Sequence, residues 1–228
     1  MKVGEHWKLR IDWQGCTYHA SLEGGKLAFI EKPMRHWIFH PLIFYPLAIL
    51  LAAAVIVFGL QPQSWPREPK PVAAQVSGGS LVFAEAAFDA PDKAPEQSLH
   101  VTRDFWGNAQ SLRIAVLPNQ PEPTPAEQGV RILLTPEQAA MIEDRPVSVV
   151  VSYQPLGRNT ASGLAVSLQG IGPADWAMQP LPSEPGPGQL QFELPAQFAV
   201  NAIGLRALSS ATDQNYGLEI TRVVVTPR

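Results

Sequence analysis

The stretch LIFYPLAILLAAAVIVFGL, residues 42–60, decides the architecture of this chain because it contains no charged side chain. An α-helix rises about 1.5 Å per residue, so a run of this length crosses the ~30 Å hydrocarbon core of a bilayer. Lipid offers the backbone no hydrogen-bond partner, which favours a helix over other structure. Trp37 and Trp65 flank the run as interfacial anchors would. We therefore predict one transmembrane helix, with its interfacial approach, over residues 34–61.

Three features of this run bear on its role. Pro46 lies inside the predicted helix and is expected to kink it. Ala48 and Ala52 form a small-xxx-small pair, which predicts a helix-packing surface; the alternative is that alanine simply favours helix. A cleaved signal peptide is the competing interpretation of the run, but the run is long and about 40 residues precede it. We therefore expect the helix to be retained.

The distribution of charge predicts the orientation of the helix. Lys26, Lys32 and Arg35 precede it, whereas Arg67 and Lys70 follow it. The positive-inside rule then places the N-terminus in the cytoplasm. The C-terminal part, which lacks cysteine, would face the periplasm of a bacterium, with the helix in the inner membrane. A formal net charge of −3 excludes a strongly basic surface of the kind that binds nucleic acid.

Residues 1–33 have the pattern of a small cytoplasmic β-meander. Apolar and polar residues alternate over residues 7–13 and 16–23, and Gly24-Gly25 is a hairpin signal before a third strand. Such a meander has one apolar face and too little chain to cover it. We expect that face to dock on lipid headgroups or on a partner protein through four residues: Trp7, Trp13, Tyr18 and Leu22.

Residues 62–79 form a proline-rich linker, and residues 80–228 carry the pattern of an antiparallel β-sandwich. Nine strands are predicted, near residues 81–88, 98–105, 110–117, 130–134, 147–153, 163–168, 189–194, 200–208 and 216–226. In the last of these, Leu218 and Ile220 alternate and Val223 continues the apolar face only after a slip of register. Thr135 caps the one predicted helical turn, which ends near Ile142.

The segments 138–153, 202–206 and 217–225 resemble the middle and closing parts of galactose-binding-like jelly rolls. The fold class predicted for the chain is thus mainly β, with a jelly roll of the kind found in carbohydrate-binding modules after the helix. The resemblance covers Ser80 to Arg228 and is one of pattern. It implies either carbohydrate binding or protein docking, and it assigns no binding residue.

Residues that carry chemistry are sparse. His100 is the one histidine after the helix, and its alternating strand position favours a structural role over a catalytic triad. Asp89, Asp92 and Asp104 are loosely spaced for a calcium site, and solvated loop acids are the stronger interpretation. We predict no enzyme activity and no cofactor. His36 and His40 are four residues apart, as metal ligands on one helix face would be, but interfacial polar residues are favoured.

Two tryptophans remain as candidates for ligand contact. Trp106 and Trp176 lie in predicted loops or strand ends, and Asp104, Asn108 and Asp175 are polar neighbours in sequence. An exposed ring beside amides and carboxylates is typical of a sugar-binding face. The alternative is that both rings close the ends of the sandwich.

Two functions follow from this sequence. The first is a non-catalytic accessory subunit of a bacterial inner-membrane complex (respiratory, photosynthetic or envelope assembly), whose partners would be the bilayer and a larger integral membrane assembly. The second is a membrane-tethered carbohydrate-binding module for envelope or exported polysaccharide. The first is favoured here, because residues with catalytic chemistry are few and the meander has an apolar face without a core.

Overall fold

The structure of the protein is a computed structural model. It describes residues 9–13, 16–23, 26–30, 41–60, 65, 67–119, 123–124, 126–183, 186–211 and 213–228. The chain divides into two units, Met1–Leu60 and Gln61–Arg228, and each is described by itself. The predicted domain boundaries within these units stay predictions.

The first unit contains a three-stranded antiparallel sheet and one helix. The strands are β1 (Leu9–Trp13), β2 (Cys16–Glu23) and β3 (Lys26–Ile30), paired in the order β1-β2-β3. Trp7, His36 and His40 lie outside the described residues, as do the side chains of Trp13, Tyr18 and Leu22. The predicted docking face, the histidine pair and the cytoplasmic placement of this sheet therefore stay predictions.

Helix α1 (Pro41–Leu60) has 20 residues, begins with proline and contains Pro46. Its side chains are exposed, apart from the half-buried Ala54. Within the described residues it is the helix with the length and apolar composition to cross a membrane. An apolar surface that extends all round a helix is stable when lipid or another apolar surface covers it.

The second unit is a β-sandwich of two antiparallel sheets. Its strands are β4 (Gln75–Ser77), β5 (Ser80–Ala84), β6 (Asp92–Lys93), β7 (Gln97–Arg103), β8 (Ala109–Val116), β9 (Val130–Leu133), β10 (Val147–Pro155), β11 (Gly163–Gln169), β12 (Ala177–Pro180), β13 (Gly188–Leu194), β14 (Ala202–Leu208) and β15 (Tyr216–Pro227). One sheet has seven strands and contains the path β13-β10-β15-β5-β4, with β8 beside β15 and β7 beside β8. The other has the order β12-β11-β14-β9-β6. The predicted β-sandwich is thus confirmed, and with it the mainly β class.

Strand β15 organises the larger sheet. It pairs along one edge with β10, and along the other first with β8 and then with β5. The pairing with β10 shifts register between Ser152 and Tyr153, so that Ile220 and Arg222 face consecutive residues of β10. This bulge is the slip that the alternation of Leu218, Ile220 and Val223 predicts, because an extra residue returns the apolar side chains to the core.

The core lies between the two sheets and takes apolar side chains from both. Its fully buried members include Leu81, Phe83, Phe88, Leu112, Ile114, Val149, Val151, Leu164, Val166, Ile203, Leu205, Leu218 and Ile220. The predicted helical turn is α2 (Pro136–Ile142), in which Thr135 and Gln138 form a reciprocal capping box. The predicted first strand ends early: Glu85 has a φ of 47°, and Glu85–Phe88 form a 3-10 helix.

Candidate ligand-binding site

The turn between β7 and β8 is shaped by the carboxylate of Asp104. Its Oδ1 accepts hydrogen bonds from the backbone N–H groups of Trp106 and Asn108, both at 2.9 Å. Its Oδ2 accepts one from the Asn108 side chain at 2.9 Å. The side-chain bond from Asn108, followed by the backbone bonds, lowers the pKa of Asp104. Asp104 and Asn108 therefore support the turn, and their polar atoms are largely engaged with each other.

The same turn presents two aromatic rings to solvent. Trp106 is 81% exposed and Phe105 is 64% exposed. The ring centroids are 5.2 Å apart and the planes meet at 83°, an edge-to-face arrangement. Gly107 follows with a φ of 85°, which glycine adopts without steric cost. The alternative that Trp106 closes an end of the sandwich is therefore wrong.

Asp89 and two arginines fix the base of the turn. Arg103 and Arg67 both form ion pairs with the Asp89 carboxylate. Arg103 also donates to the Asp89 carbonyl at 2.7 Å and to the Gly107 carbonyl at 3.1 Å. Partial burial raises the pKa of Asp89, but the hydrogen bonds and charges of Arg103 and Arg67 outweigh it, and the net shift is downward. The turn is thus held on a charged cluster.

A cleft of about 260 Å³ lies beside Trp106. Besides the turn residues, it is lined by Arg67 and Lys70 from the segment before β4, by Asp89, and by small apolar residues. An indole with flanking guanidinium, ammonium and amide groups is an amphipathic surface: the ring offers apolar contact, and the polar groups offer hydrogen bonds. We name this surface the Trp106 cleft.

Trp176 lies elsewhere. It precedes β12 on the five-stranded sheet and contacts the backbone at Gly129, where an added Cβ would lie 2.9 Å from the indole. It is half-buried, and its Nε1 has no hydrogen-bond partner within the described part of the chain. Trp176 does not line the Trp106 cleft, so the two tryptophans predicted as candidates for ligand contact lie at separate places.

The outer face of the five-stranded sheet is covered. Every residue of β11 is buried, and Arg206 on β14 is fully buried. Arg206 forms an ion pair with Glu127 at 2.7 Å, and burial lowers the pKa of Arg206 against the opposing charges of Glu127 and Glu96. Residues around Glu127 thus lie over Arg206 on this sheet face, and a cleft of about 440 Å³ opens beside them, lined among others by Glu127, Arg131 and Gln169.

The three aspartates considered for calcium lie in different environments. Asp89 binds Arg67 and Arg103, Asp92 forms an ion pair with Arg131, and Asp104 accepts hydrogen bonds from its own turn. Among the residues that the structure describes, no group of three His, Cys, Asp or Glu side chains is placed to hold a metal ion.

His100 lies on β7 with its side chain exposed. The sequence favoured a structural role for it, but the structure places it on the outer surface of the larger sheet, opposite Arg113 of β8. The alternation of apolar and polar residues along β7 indicates this exposure. Leu99 and Val101 pack toward the core, so His100 between them faces outward.

Comparison with known proteins places the β-sandwich among similar folds. No protein-family model matches the sequence, and no characterised protein is significantly similar to it in sequence. The structure is similar to the CBM22-1 xylan-binding domain of Xyn10C from Paenibacillus barcinonensis, with a TM-score of 0.41 and 14% identity, over 65% of this chain and 92% of that one.

Two further solved structures are similar to this chain, again at low sequence identity. The tandem CBM22-1–CBM22-2 domain of the same xylanase gives a TM-score of 0.41 at 14% identity, over 68% of this chain and 47% of that one. The CBM1 domain of BiXyn10A gives 0.36 at 9% identity, over 69% and 99%. The predicted resemblance to carbohydrate-binding-module β jelly rolls is thus confirmed as a likeness of β-sandwich architecture.

Proposed function

We propose that this chain is a non-catalytic, membrane-tethered carbohydrate-binding protein, and that saccharide binds at the Trp106 cleft. The observation that carries the proposal is the 81% exposure of Trp106 beside a polar cleft. The Trp106 indole and the Phe105 ring beside it form one exposed aromatic patch with polar side chains at its edge, and a contiguous apolar patch with a polar rim is a feature of binding sites. The envelope of a bacterium, or a polysaccharide exported through it, would supply the ligand.

The chemistry of a sugar ring suits this cleft. A pyranose presents C–H groups on its faces and hydroxyls around its edge. The face would stack on the Trp106 indole while the edge hydroxyls bond to Arg67, to Lys70 and to the side-chain oxygen of Asn108, whose amide nitrogen is bonded to Asp104. The carboxylate of Asp104 serves this arrangement by holding the turn, so it acts as a positioning group rather than as a ligand contact.

The tether in this proposal is α1, inserted in the inner membrane with the sandwich in the periplasm. Its 20 residues at about 1.5 Å each match the bilayer core. Protease treatment of spheroplasts tests the orientation: the sandwich should be digested from outside, and its protection would refute the periplasmic placement.

The alternative function, an accessory subunit of an inner-membrane complex, depends on the docking face of residues 1–33, whose side chains lie outside the described residues. The packing of α1 through Ala48 and Ala52 stays a prediction. No described contact favours this function over carbohydrate binding.

The binding proposal is tested with the full chain in phosphatidylcholine nanodiscs on a glycan array, followed by calorimetry with the best ligand. Trp106→Ala should raise Kd about tenfold or more, because it removes the main apolar surface of the cleft. Phe198→Ala is the matched control, since Phe198 is 72% exposed and does not line the cleft. An array without any binder, or equal losses in both variants, would contradict the proposal.

A further inference from the structure

A second cleft, of about 530 Å³, lies on the outer face of β7 and β8. The register pairs Ser98 with Ala115 and His100 with Arg113. Opposite residues of an antiparallel pair, and residues two apart on one strand, share a face of the sheet. The two neighbours of Arg113 on β8, Leu112 and Ile114, are fully buried in the core. Ser98, His100, Arg113 and Ala115 therefore face away from the core and form the floor of the cleft.

The wall of this cleft is a loop held in place by the backbone. The N–H of Ala161 donates to the carbonyl of Gly217 at 2.8 Å, and the N–H of Gly217 donates to the carbonyl of Asn159 at 2.9 Å. The Asn159 side chain donates to Gln214 Oε1 at 2.8 Å. Arg158 therefore lies in a loop that is fixed to β15, beside the floor.

Gly217 permits a close approach between β15 and β8, the strand that carries Arg113. A Cβ added there would lie 2.4 Å from the carbonyl oxygen of Ile114 and 2.8 Å from the Cβ of Ala115. Asn159 has a φ of 53°, a left-handed conformation that asparagine tolerates better than most residues. The local sequence thus selects the loop position that brings Arg158 to the sheet.

The charges lining the cleft are positive. Arg113 and Arg158 supply two guanidinium groups, and no carboxylate is among the described lining residues. Glu219 stands opposite Arg113 on β15 and is the carboxylate that lies nearest to it in the strand register; it accepts a hydrogen bond from the Ser111 hydroxyl and keeps its charge. Asp213, near the other wall, accepts one from the Tyr216 hydroxyl at 2.8 Å.

Four arginines of the sandwich, Arg113, Arg145, Arg158 and Arg222, form no ion pair within the described residues, and two of these four, Arg113 and Arg158, line this cleft. Ion pairs hold Arg67, Arg103, Arg131, Arg206 and Arg228. Two guanidinium groups that line one concave surface, neither of them in an ion pair within the described residues, favour an anion there. Guanidinium is well suited to bind carboxylate, sulfate or phosphate through paired hydrogen bonds.

We infer that this cleft is a second binding site, which takes an acidic saccharide through its carboxylate, sulfate or phosphate group. The guanidinium groups of Arg113 and Arg158 would hold the anion. Asn159, Asn215 and the Ser98 hydroxyl would bond to sugar hydroxyls. The volume falls within the ~300–1,000 Å³ of small-molecule sites and exceeds what a lone anion fills. The saccharide class rests on the proposed function, whereas the anion site does not.

The test uses the full chain in phosphatidylcholine nanodiscs, which carry no net charge. Calorimetry compares three probes: a galacturonate trimer, the same trimer with its carboxyl groups methyl-esterified, and inorganic phosphate. The acidic trimer should bind, and Arg113→Gln with Arg158→Gln should raise its Kd by about tenfold for each guanidinium removed. Arg145→Gln, on the exposed turn after α2, should leave the Kd unchanged.

The outcomes separate the two proposals. If both trimers bind equally and the double variant changes neither, the anion site is refuted. If Trp106→Ala abolishes binding of the acidic trimer and the double variant does not, the trimer binds at the Trp106 cleft and the second site is refuted, while the proposed function stands. If phosphate binds and the trimer does not, the saccharide class is wrong. Weaker binding of the acidic trimer at 0.5 M salt supports the site only if the double variant loses this dependence on salt.

Discussion

Replacement of Asp89 by asparagine tests whether the charged cluster holds the Trp106 turn. Asp89 accepts from Arg103, whose side chain is only 5% exposed, and from Arg67, whose side chain is 44% exposed. Asparagine keeps the shape of aspartate but removes its charge. The mostly buried Arg103 would then lack its counter-ion and would retain hydrogen bonds to two carbonyl groups, those of Asp89 and Gly107.

The size of the effect follows from how much of the pair is buried. Removing one partner of a fully buried ion pair costs about 3–5 kcal/mol, whereas an exposed pair contributes about 0–1 kcal/mol. Here Arg103 is buried, Arg67 is screened by solvent, and two carbonyl bonds remain. We therefore expect Asp89→Asn to lower the free energy of unfolding by about 1–2 kcal/mol, which for a domain of this size is roughly 2–8 °C in Tm.

The dependence on pH provides a second, sharper readout. The pKa of Asp89 is lowered in the folded state, so its contribution to stability is present above the unfolded value near 3.8 and is lost as pH falls through the folded pKa. Thermal unfolding of the sandwich, followed by near-UV circular dichroism from pH 7 to pH 2, should show a smaller acid loss in the variant than in wild type.

Asp175→Asn is the matched control, because Asp175 is exposed and forms no ion pair within the described residues. Its Tm should stay within about 2 °C of wild type, since surface substitutions usually change stability by less than ~0.5 kcal/mol. If Asp89→Asn behaved like this control at pH 7, or if the two proteins lost stability in parallel in acid, the cluster would not stabilise the turn.

Two other substitutions test the packing of β15 on β8 and the buried ion pair of the five-stranded sheet. Gly217→Ala should push β8 away from β15, because the new Cβ would meet the Ile114 carbonyl and Ala115. Tm should fall, and the acidic trimer should bind more weakly in calorimetry because β8 carries Arg113; unchanged values would refute the close packing of β8 on Gly217. Glu127→Gln should cost about 2–4 kcal/mol in chemical unfolding because it leaves Arg206 buried without its nearest counter-ion. Adding Arg206→Met should recover part of that loss, and a purely additive result would refute the coupling.

The strands with long alternating patterns could be predicted from sequence, and those without could not. β8, β10 and β13 alternate over seven or more residues, and the structure places each within two residues of its predicted bounds. β4, β6 and β12 were missed because they have two to four residues, too few to display a period. Their pairing comes from the neighbouring strand, so the local sequence carries little signal.

The covered face of the five-stranded sheet also has no local signature. β11 and β14 alternate weakly because both of their faces are buried, one in the core and the other under the segment that contains Glu127. A strand buried on both sides loses the polar half of its pattern. The sequence therefore predicts the strands β11 and β14 but not that their outer faces are buried.

The two candidate sites differ in how far sequence could predict them. Asp104, Trp106 and Asn108 are neighbours in the chain, so one turn brings them together and a short window of sequence reveals them. Arg113 and Arg158 are 45 positions apart, and two long-range features bring them to one cleft: the register of β8 on β15, and the backbone bonds of the 159–161 loop to Gly217. Neither feature can be derived from periodicity, because register depends on which strands pair. A cationic cleft assembled in this way becomes visible only once the fold is known, whereas its separate arginines resemble ordinary surface charges.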